Sequence, residues 1–267
     1  MTTHVLIACS KFKSVPSEPN LRWKHDSTIE SWKEDWNSQE FIQQPSELYT
    51  GRPFKQQYEL IRGKNDAVVY VISAGAGLIC PRIKVPSYDA TFVRNKGPKT
   101  DEWSHLPEGG IIGMNVSKSD TVVSFAPPNY HRALLHDPNL ELISDILIVA
   151  STSPLASKAR TVLNIHPRSK EVLKVSSTDL NTKFLEIFLN DGAEGFDSLY
   201  EKAKSLPPMV NRTPVSDEEL YAIVKKIKNI TSNSALVRHL RDDLHIKASV
   251  ERINAARKKA IQDSQDG

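Results

Sequence analysis

The sequence predicts an α/β fold in which a four-stranded, mainly parallel sheet carries flanking helices, followed by a small C-terminal helical module. Four short segments, 4–9, 67–73, 121–126 and 145–151, are apolar nearly throughout, which is typical of strands covered on both faces. Helical patterns lie between them, and this alternation favours a parallel sheet. Polar residues or Gly and Pro follow each segment, at the strand ends where such sheets bind ligands.

The elements between the predicted strands follow from apolar spacing. We predict helices over 54–62, 130–136, 155–163 and 179–189, and an edge strand over 170–175. A long insertion, 12–47, holds three of the four tryptophans. It forms either an amphipathic helix near 28–36 that packs on the core, or an aromatic lid over a site.

Composition limits the class of protein. The chain has 267 residues, of which 39% are hydrophobic and 25% charged, enough to bury a real core. No apolar run approaches the roughly 20 residues that span a bilayer, and no signal-peptide pattern opens the chain. Two cysteines, Cys9 and Cys80, cannot by themselves form a disulfide framework or a metal site. We therefore expect a cytoplasmic protein without membrane contact, metal, cofactor or obligatory protein partner.

The domain prediction is an α/β domain over 1–205, a linker over 205–214 and a helical module over 214–263. Ser216 and Glu219 form an S-x-x-E capping box that opens the first helix of the module. Further helices are predicted over 235–244 and from 249. The module is either a helix-turn-helix-like DNA-contacting unit or a three-helix packing unit with solvated charges. Because the net charge is only +3, any nucleic-acid surface must be local.

Candidate ligand-binding residues follow the first two strands. Ser10 and Lys11 come directly after the first strand, where they hold a phosphate or belong to an ordinary polar loop. Ser73, Gly75 and Gly77 end the second strand, and the glycines permit close approach of a ligand to the backbone. The third glycine of G-x-G-x-x-G is missing, which argues against a nicotinamide cofactor.

Three further positions each have a functional and a structural interpretation. Asp89, next to Tyr88, is either a general base or charge stabiliser, or a turn residue. Tyr49 packs in the core or stacks on a ligand, and His131 contacts substrate or is structural. The segment 151–157 is a good helix start, with a serine cap and Pro154 in the first turn.

Four motifs together resemble a known family. They are C-x-x-x-K after the first strand, L-Y-T-G before a helix, S-A-G-x-G-L-I after the second strand, and P-S-Y-D-A-T-F. This set is similar to the YaaA-like family of bacterial and phage proteins, which is related to the uracil-DNA-glycosylase-like domain of archaeosine synthases. The resemblance covers about residues 4–155.

The same segment resembles the uracil-DNA-glycosylase superfamily, with two departures. Ser153-Pro154-Leu155 stands where that superfamily inserts a leucine into DNA, but Ser151-Thr152 replaces its His-Pro. Cys9-Ser10-Lys11-Phe12 replaces its G-Q-D-P-Y-H loop. A standard uracil glycosylase is therefore disfavoured, and the resemblance implies a rebuilt pocket.

The resemblance implies a hydrolase that cuts the N-glycosidic bond of a modified base in double-stranded DNA, such as a hypermodified phage base, and leaves an abasic site. Such a bond breaks through an oxocarbenium-like transition state after the base flips out. Asp89 would be the catalytic carboxylate. The residues implied for substrate binding are Ser10, Lys11, Tyr49, Ser73, Gly75, Gly77, Tyr88 and His131. Those implied for DNA binding are Lys13, Ser153, Leu155 as a wedge, Arg238, Arg252 and Arg257.

Antiviral defence and base-excision repair are the two biological settings that this reaction fits. Two other classes of function stay open. One is a stress or regulatory protein that binds DNA without catalysis. The other is a transglycosylase that exchanges bases, or a hydrolase of free modified nucleosides.

Overall fold

The computed structural model describes residues 1–40, 42–93, 96–207, 212–227 and 232–265. The chain divides into two compact units, Met1–Ser205 and Leu206–Gly267. The predicted linker, 205–214, lies partly outside the described residues. Among the described helices, none combines the length and apolar character that crossing a membrane requires.

The first unit is built on a mixed, mostly parallel six-stranded sheet. Its strands are β1 (Thr3–Ala8), β2 (Ala67–Ser73), β3 (Gly77–Ile79), β4 (Thr121–Ser124), β5 (Leu147–Ala150) and β6 (Thr161–Leu163). Their order across the sheet is β3-β2-β1-β4-β5-β6. Neighbours are parallel except β2 and β3, which pair antiparallel. The α/β class and the mainly parallel sheet are confirmed.

The prediction of four strands was too low because two short edge strands carry weak sequence signals. β3 has only three residues and returns from β2 through the turn after Ser73, so that Ser73 pairs with Gly77. β6 lies inside the segment 155–163, for which we predicted a helix. There the backbone forms turns, with Lys158 N–H donating to the Leu155 carbonyl, and then Leu163 pairs with Ala150.

The predicted edge strand over 170–175 is wrong, because this segment is the short helix α6 (Ser169–Leu173). The Arg168 guanidinium pairs with the Glu171 carboxylate at 2.8 Å, across one helical turn. Lys174 then adopts a left-handed conformation, with φ of 54°, and ends the helix. Both features favour a helical turn over the extended backbone of the predicted edge strand.

Helices cover the sheet, and the tryptophan-containing insertion packs on the core. The other helices of this unit are α1 (Ile29–Asn37), α2 (Pro45–Leu48), α3 (Arg52–Arg62), α4 (Pro128–Leu135), α5 (Glu141–Ser144), α7 (Leu180–Asp191) and α8 (Glu194–Lys204). Trp32 and Trp36 of α1 are buried, and Trp32 Nε1 donates to the Gly75 carbonyl at 2.7 Å. Of the two interpretations of the insertion, the structure therefore has the packed amphipathic helix.

The second unit has its own small hydrophobic core. It contains α9 (Asp217–Lys226), α10 (Asn233–Arg238), a π-helical turn (His239–Asp243) and α11 (Val250–Gln265). Strands β7 (Thr213–Pro214) and β8 (Ile246–Lys247) pair in parallel. Leu220, Leu236, Leu240 and Ile253 are almost fully buried between these elements. The capping box is confirmed, because Ser216 Oγ accepts from Glu219 N–H and Glu219 accepts from Ser216 N–H.

Replacing Ser216 by alanine is expected to destabilise the second unit by about 1 kcal/mol, because it removes the acceptor for an amide at the start of α9. Hydrogen exchange of the α9 amides, measured at equilibrium, would report the loss as faster exchange. Ser234→Ala, at an exposed site inside α10, is the matched control and should leave α9 unchanged. Equal effects of the two substitutions would contradict the role of the cap.

Candidate functional site

The order in which strands are added to the sheet reverses between β1 and β4. From β1 the chain adds β2 and β3 on one side, and it then adds β4, β5 and β6 on the other side, with β1 and β4 paired in parallel. In open α/β sheets, the carboxyl ends of the strands at such a reversal form a crevice that binds ligands. Residues that follow β1 and β4 therefore lie at the expected site.

Six side chains come together at this point, and we name them the switch-point cluster: Cys9, Lys13, Tyr49, Ser73, Tyr88 and Tyr130. The Cys9 Sγ and the Tyr130 hydroxyl, after β1 and β4, are 3.6 Å apart. The Tyr88 hydroxyl lies 2.7 Å from the Tyr49 hydroxyl and also contacts Ser73 Oγ. Lys13 Nζ lies 4.3 Å from the centre of the Tyr88 ring.

Backbone hydrogen bonds fix the loop that carries Lys13. Ser14 N–H donates to the Leu48 carbonyl at 2.8 Å, and Thr50 N–H donates to the Phe12 carbonyl at 3.0 Å. Lys13 and Tyr49 thereby pair as an antiparallel bridge. The loop after β1 is tied to the segment before α3, which explains why L-Y-T-G and C-x-x-x-K belong to one site.

Gly75 lets the Tyr88 ring lie close to the end of β2. A Cβ atom at Gly75 would lie 2.5 Å from Tyr88 Cδ2, so only glycine fits without moving the ring. Gly75 and Ala76 N–H groups donate to Ser73 Oγ, and Trp103 Nε1 donates to the Ser73 carbonyl. Hydrogen bonds to both the side chain and the backbone carbonyl of Ser73 therefore fix the end of β2.

Burial shifts the pKa of four members of the cluster. It lowers the pKa of the Lys13 amine, and the negative charges of a Cys9 thiolate and of Asp89 partly oppose this effect. Burial also raises the pKa of Tyr49 and of Tyr88 well above the usual range, so both hydroxyls are neutral. For Tyr130, the charge of a Cys9 thiolate is the largest cause of its raised pKa, followed by burial.

Asp89 lies at the margin of the cluster. Its backbone is fixed, because its N–H donates to the Leu21 carbonyl at 2.7 Å and its carbonyl accepts from Trp23 N–H at 2.9 Å. Its side chain is exposed to solvent, and its charge acts on Lys13. The carboxylate is therefore placed beside the cluster and is accessible to an incoming molecule.

His131 has a structural environment. In the first turns of α4 it is 2% exposed, with Nε2 at 2.9 Å from Ser124 Oγ and Nδ1 at 2.7 Å from Ser153 Oγ. Desolvation lowers its pKa to about 4, so the ring is neutral at pH 7. His131 joins the end of β4 to the loop after β5, and neither ring nitrogen is left for a ligand.

The loop after β5 does not present a wedge in this conformation. Leu155 is fully buried in the hydrophobic core of the first unit. Ser153 Oγ accepts from Leu155 N–H at 3.0 Å as well as contacting His131. Inserting Leu155 into a base stack would therefore require this loop to rearrange.

The remaining sequence-predicted residues differ in exposure. Ser10 is buried, Lys11 is exposed, and Gly77 is buried with φ of 98°. In the second unit Arg238 is exposed. Arg252 pairs with Asp217 at 2.6 Å and donates to the Val215 carbonyl, and Arg257 donates to Asn233 Oδ1. Two of the three arginines thus have partners within their own unit.

A large cleft lies next to the cluster. It has a volume of about 690 Å³ and is lined by, among others, Trp23, His25, Phe92, Lys99, Asn129 and Arg132. The Phe92 ring packs edge-on against Tyr130, with ring centres 5.1 Å apart. The cleft wall is therefore in direct contact with a member of the switch-point cluster.

The pairing of Cys9 with Tyr130 is not predicted from the sequence. The sequence favours a packing role for Cys9, and it leaves Tyr130, next to His131 after the third predicted strand, open to a substrate contact. Each residue follows a strand, and this position is the signal that the sequence contains. Their proximity depends on β1 and β4 being neighbours, and the order of strands is not visible in the sequence.

Comparisons of the chain with protein-family models, with curated proteins and with solved structures find no match. The functional argument therefore depends on the geometry of the cluster and on the chemistry of its residues.

Proposed function

We propose that the protein is a DNA glycosylase that hydrolyses the N-glycosidic bond of a modified base and leaves an abasic site. One observation carries this proposal. Lys13, three tyrosine hydroxyls and the accessible carboxylate of Asp89 lie together at the carboxyl ends of β1 and β4, where the order of the strands reverses. The resemblance of the sequence motifs to the uracil-DNA-glycosylase-like superfamily is the reason for proposing that the bond broken is N-glycosidic.

The electrostatics of the cluster suit this reaction. Cleavage of the bond builds positive charge on the sugar, and a nearby carboxylate stabilises it. Asp89 is exposed at the margin of the cluster, where it can approach a sugar. Neutral tyrosine hydroxyls donate hydrogen bonds, and the half-buried Tyr130 packs its ring on Phe92 of the cleft wall. We assign its hydroxyl, which lies beside Cys9, as a hydrogen-bond donor to the departing base.

The cleft supports the binding of an extruded nucleotide. Its volume, about 690 Å³, lies in the usual range for small-ligand sites. Trp23 and Phe92 provide aromatic faces for a base, and Lys99 and Arg132 provide positive charge for a phosphate. The absence of the superfamily's G-Q-D-P-Y-H loop fits a base other than uracil.

Both units are proposed to contact the DNA backbone. In the second unit, Arg238 is the exposed arginine among the three predicted contacts; in the first unit, Lys11 is an exposed lysine after β1. Such contacts give affinity that falls as salt rises. Because Arg252 and Arg257 have partners within the unit, their contribution to DNA binding would require exchange of those partners.

The test is cleavage of plain, uracil-containing and heavily modified phage DNA, followed by alkali to cut abasic sites. We expect cleavage of one modified DNA only. Asp89→Asn should slow it by about a hundredfold or more, because the substitution removes the stabilising charge. Asp66→Asn is the matched control, since Asp66 is exposed at the opposite end of the sheet, before β2.

Each alternative has its own outcome in this assay. Salt-sensitive DNA binding with no cleavage, unchanged in Asp89→Asn, would favour a binding protein. Base release that requires a second free base would favour a transglycosylase. Activity on free modified nucleosides but not on DNA would favour a nucleoside hydrolase. Any of these three results would overturn the proposal.

A further inference from the structure

The amine of Lys13 occupies an unusual position for a lysine at a DNA-binding surface. Lysines that contact phosphate extend into solvent, as the exposed Lys11 does. Lys13 Nζ instead turns inward, 4.3 Å from the centre of the Tyr88 ring and 5.7 Å from that of Tyr49. The amine donates a hydrogen bond to the Ser10 carbonyl at 3.4 Å. This inward position points to a role other than phosphate binding.

We propose that Lys13 is the nucleophile of the glycosylase reaction and forms a transient imine with C1′ of the sugar. This inference rests on the proposed function and deepens it at the same site. The loop that carries Lys13 is fixed by its bridge to Tyr49, so the amine is held at the crevice of the sheet. The Asp89 charge is close enough to act on this amine.

The step balances without a further reactant. The neutral amine bonds to C1′ as the C1′–N bond to the base breaks, and the base leaves with the electron pair. The nitrogen, now positively charged, loses a proton, which the departing base takes up. The lone pair freed on nitrogen then opens the C1′–O4′ bond, O4′ takes a proton from solvent, and a protonated imine results. Water hydrolyses the imine, which releases the amine and an abasic sugar.

Burial raises the fraction of Lys13 that is a neutral amine. It lowers the pKa of this group, and a desolvated lysine is a stronger nucleophile at neutral pH. The Asp89 charge opposes this shift, and both Asp89 and the face of the Tyr88 ring attract the positive charge that forms on nitrogen after attack. The site therefore suits both the attacking amine and the imine that follows.

The test traps the imine on DNA that already lacks a base. The full chain is incubated with a duplex oligonucleotide that contains one abasic site, in the presence of sodium borohydride. Borohydride adds hydride to the imine and leaves a stable amine link between protein and DNA. We expect a covalent adduct on a denaturing gel, and we expect the cross-linked peptide to contain Lys13.

Lys13→Met is the main variant, because it keeps the apolar stem against Tyr88 and removes the amine. We expect its adduct to fall to background, while Lys118→Met, at an exposed site before β4 at the other end of the sheet, keeps the adduct of the unmodified chain. Near-ultraviolet circular dichroism of the packed tryptophans and tyrosines checks that each variant is folded. A second variant, Lys13→Gln, replaces Lys13→Met in the same comparison if the latter does not fold.

The outcomes separate this inference from the proposed function. Base release from modified DNA without any borohydride adduct would overturn the role of Lys13 and leave the glycosylase proposal standing. An adduct at Lys13, without base release from any DNA, would show that the amine reaches C1′ of an abasic sugar, but it would contradict the glycosylase and with it the role of Lys13 as its nucleophile. An adduct that persists in folded Lys13→Met would overturn the inference.

Discussion

Lowering the pH from 7 to 4 is expected to destabilise the first unit by about 3 kcal/mol through His131 alone, since each unit of pKa difference is worth about 1.4 kcal/mol. The pKa of this buried ring is about 4, against a value of 6.5 in an unfolded chain. The unfolded state therefore binds more protons between these values. This contribution is absent above pH 6.5 and grows as pH falls towards 4.

The hydrogen bonds of His131 explain why protonation is unfavourable. Ser124 Oγ donates to the Leu6 carbonyl at 3.2 Å, so its oxygen accepts from Nε2–H. The network therefore assigns Nδ1 as the acceptor of the Ser153 hydroxyl. A proton on Nδ1 would face that hydroxyl hydrogen and add a buried charge.

Denaturant unfolding of His131→Gln measures this contribution. Its stability should change less between pH 7 and pH 4 than that of the unmodified chain, by the same about 3 kcal/mol. His136→Gln is the control, because His136 is exposed at the end of the same helix, α4. The same pH dependence in the unmodified chain and in His131→Gln would contradict the assignment.

Replacing Gly77 by alanine is expected to cost about 2–6 kcal/mol, because left-handed strain and a steric overlap add together. Gly77 has φ of 98°, and a Cβ atom there would overlap the Gly109 carbonyl oxygen. That oxygen accepts from Leu78 N–H at 2.8 Å, so it cannot move away without losing a hydrogen bond of the β3 edge.

Gly109 is the matched control for this substitution. Its φ is also positive, 69°, but a Cβ atom there would meet nothing within 4 Å. Gly109→Ala should therefore cost only the conformational strain, about 1–2 kcal/mol. Thermal or denaturant unfolding gives both values, and equal destabilisation by the two substitutions would show that close approach to Gly109 does not limit the side chain at Gly77.

The sheet was predictable where strands are buried on both faces. β2 was predicted with the bounds that the structure has, because six consecutive apolar or β-branched residues, followed by Ser73, lie between clear turn signals. β6 was not predicted, because its three residues are too few to show a strand pattern. The helix-start signal at Pro154 instead favoured a helix over the same segment. Short edge strands depend on the partner strand, β5 here, more than on their own sequence.

The sequence predicted several of the residues that belong to the candidate site, from their positions near strand ends, but it did not predict which of them contact one another. Asp89, Tyr88 and Lys13 were identified from loops near strand ends, and the structure places them close together. The partnership of Cys9 with Tyr130 joins residues 121 positions apart, and it depends on β1 and β4 being neighbours. Sequence spacing carries no information on such pairs.

Burial separates the remaining candidates in a way that residue type could not. Leu155 was expected to insert into DNA, but its side chain completes the core beneath its loop. His131 was open to a substrate contact, but two serine hydroxyls occupy its ring nitrogens. Both residue types suit either role, and only the packed structure distinguishes them.

Mass spectrometry of the small molecules released from modified phage DNA tests the central claim most directly. The claim is that the switch-point cluster, with Asp89, breaks an N-glycosidic bond. We expect one free modified base, released in equal amount to the abasic sites formed, and its loss in a folded Lys13→Met, Asp89→Asn double variant. Undiminished release by that variant, or DNA binding without release of any base, would contradict the claim.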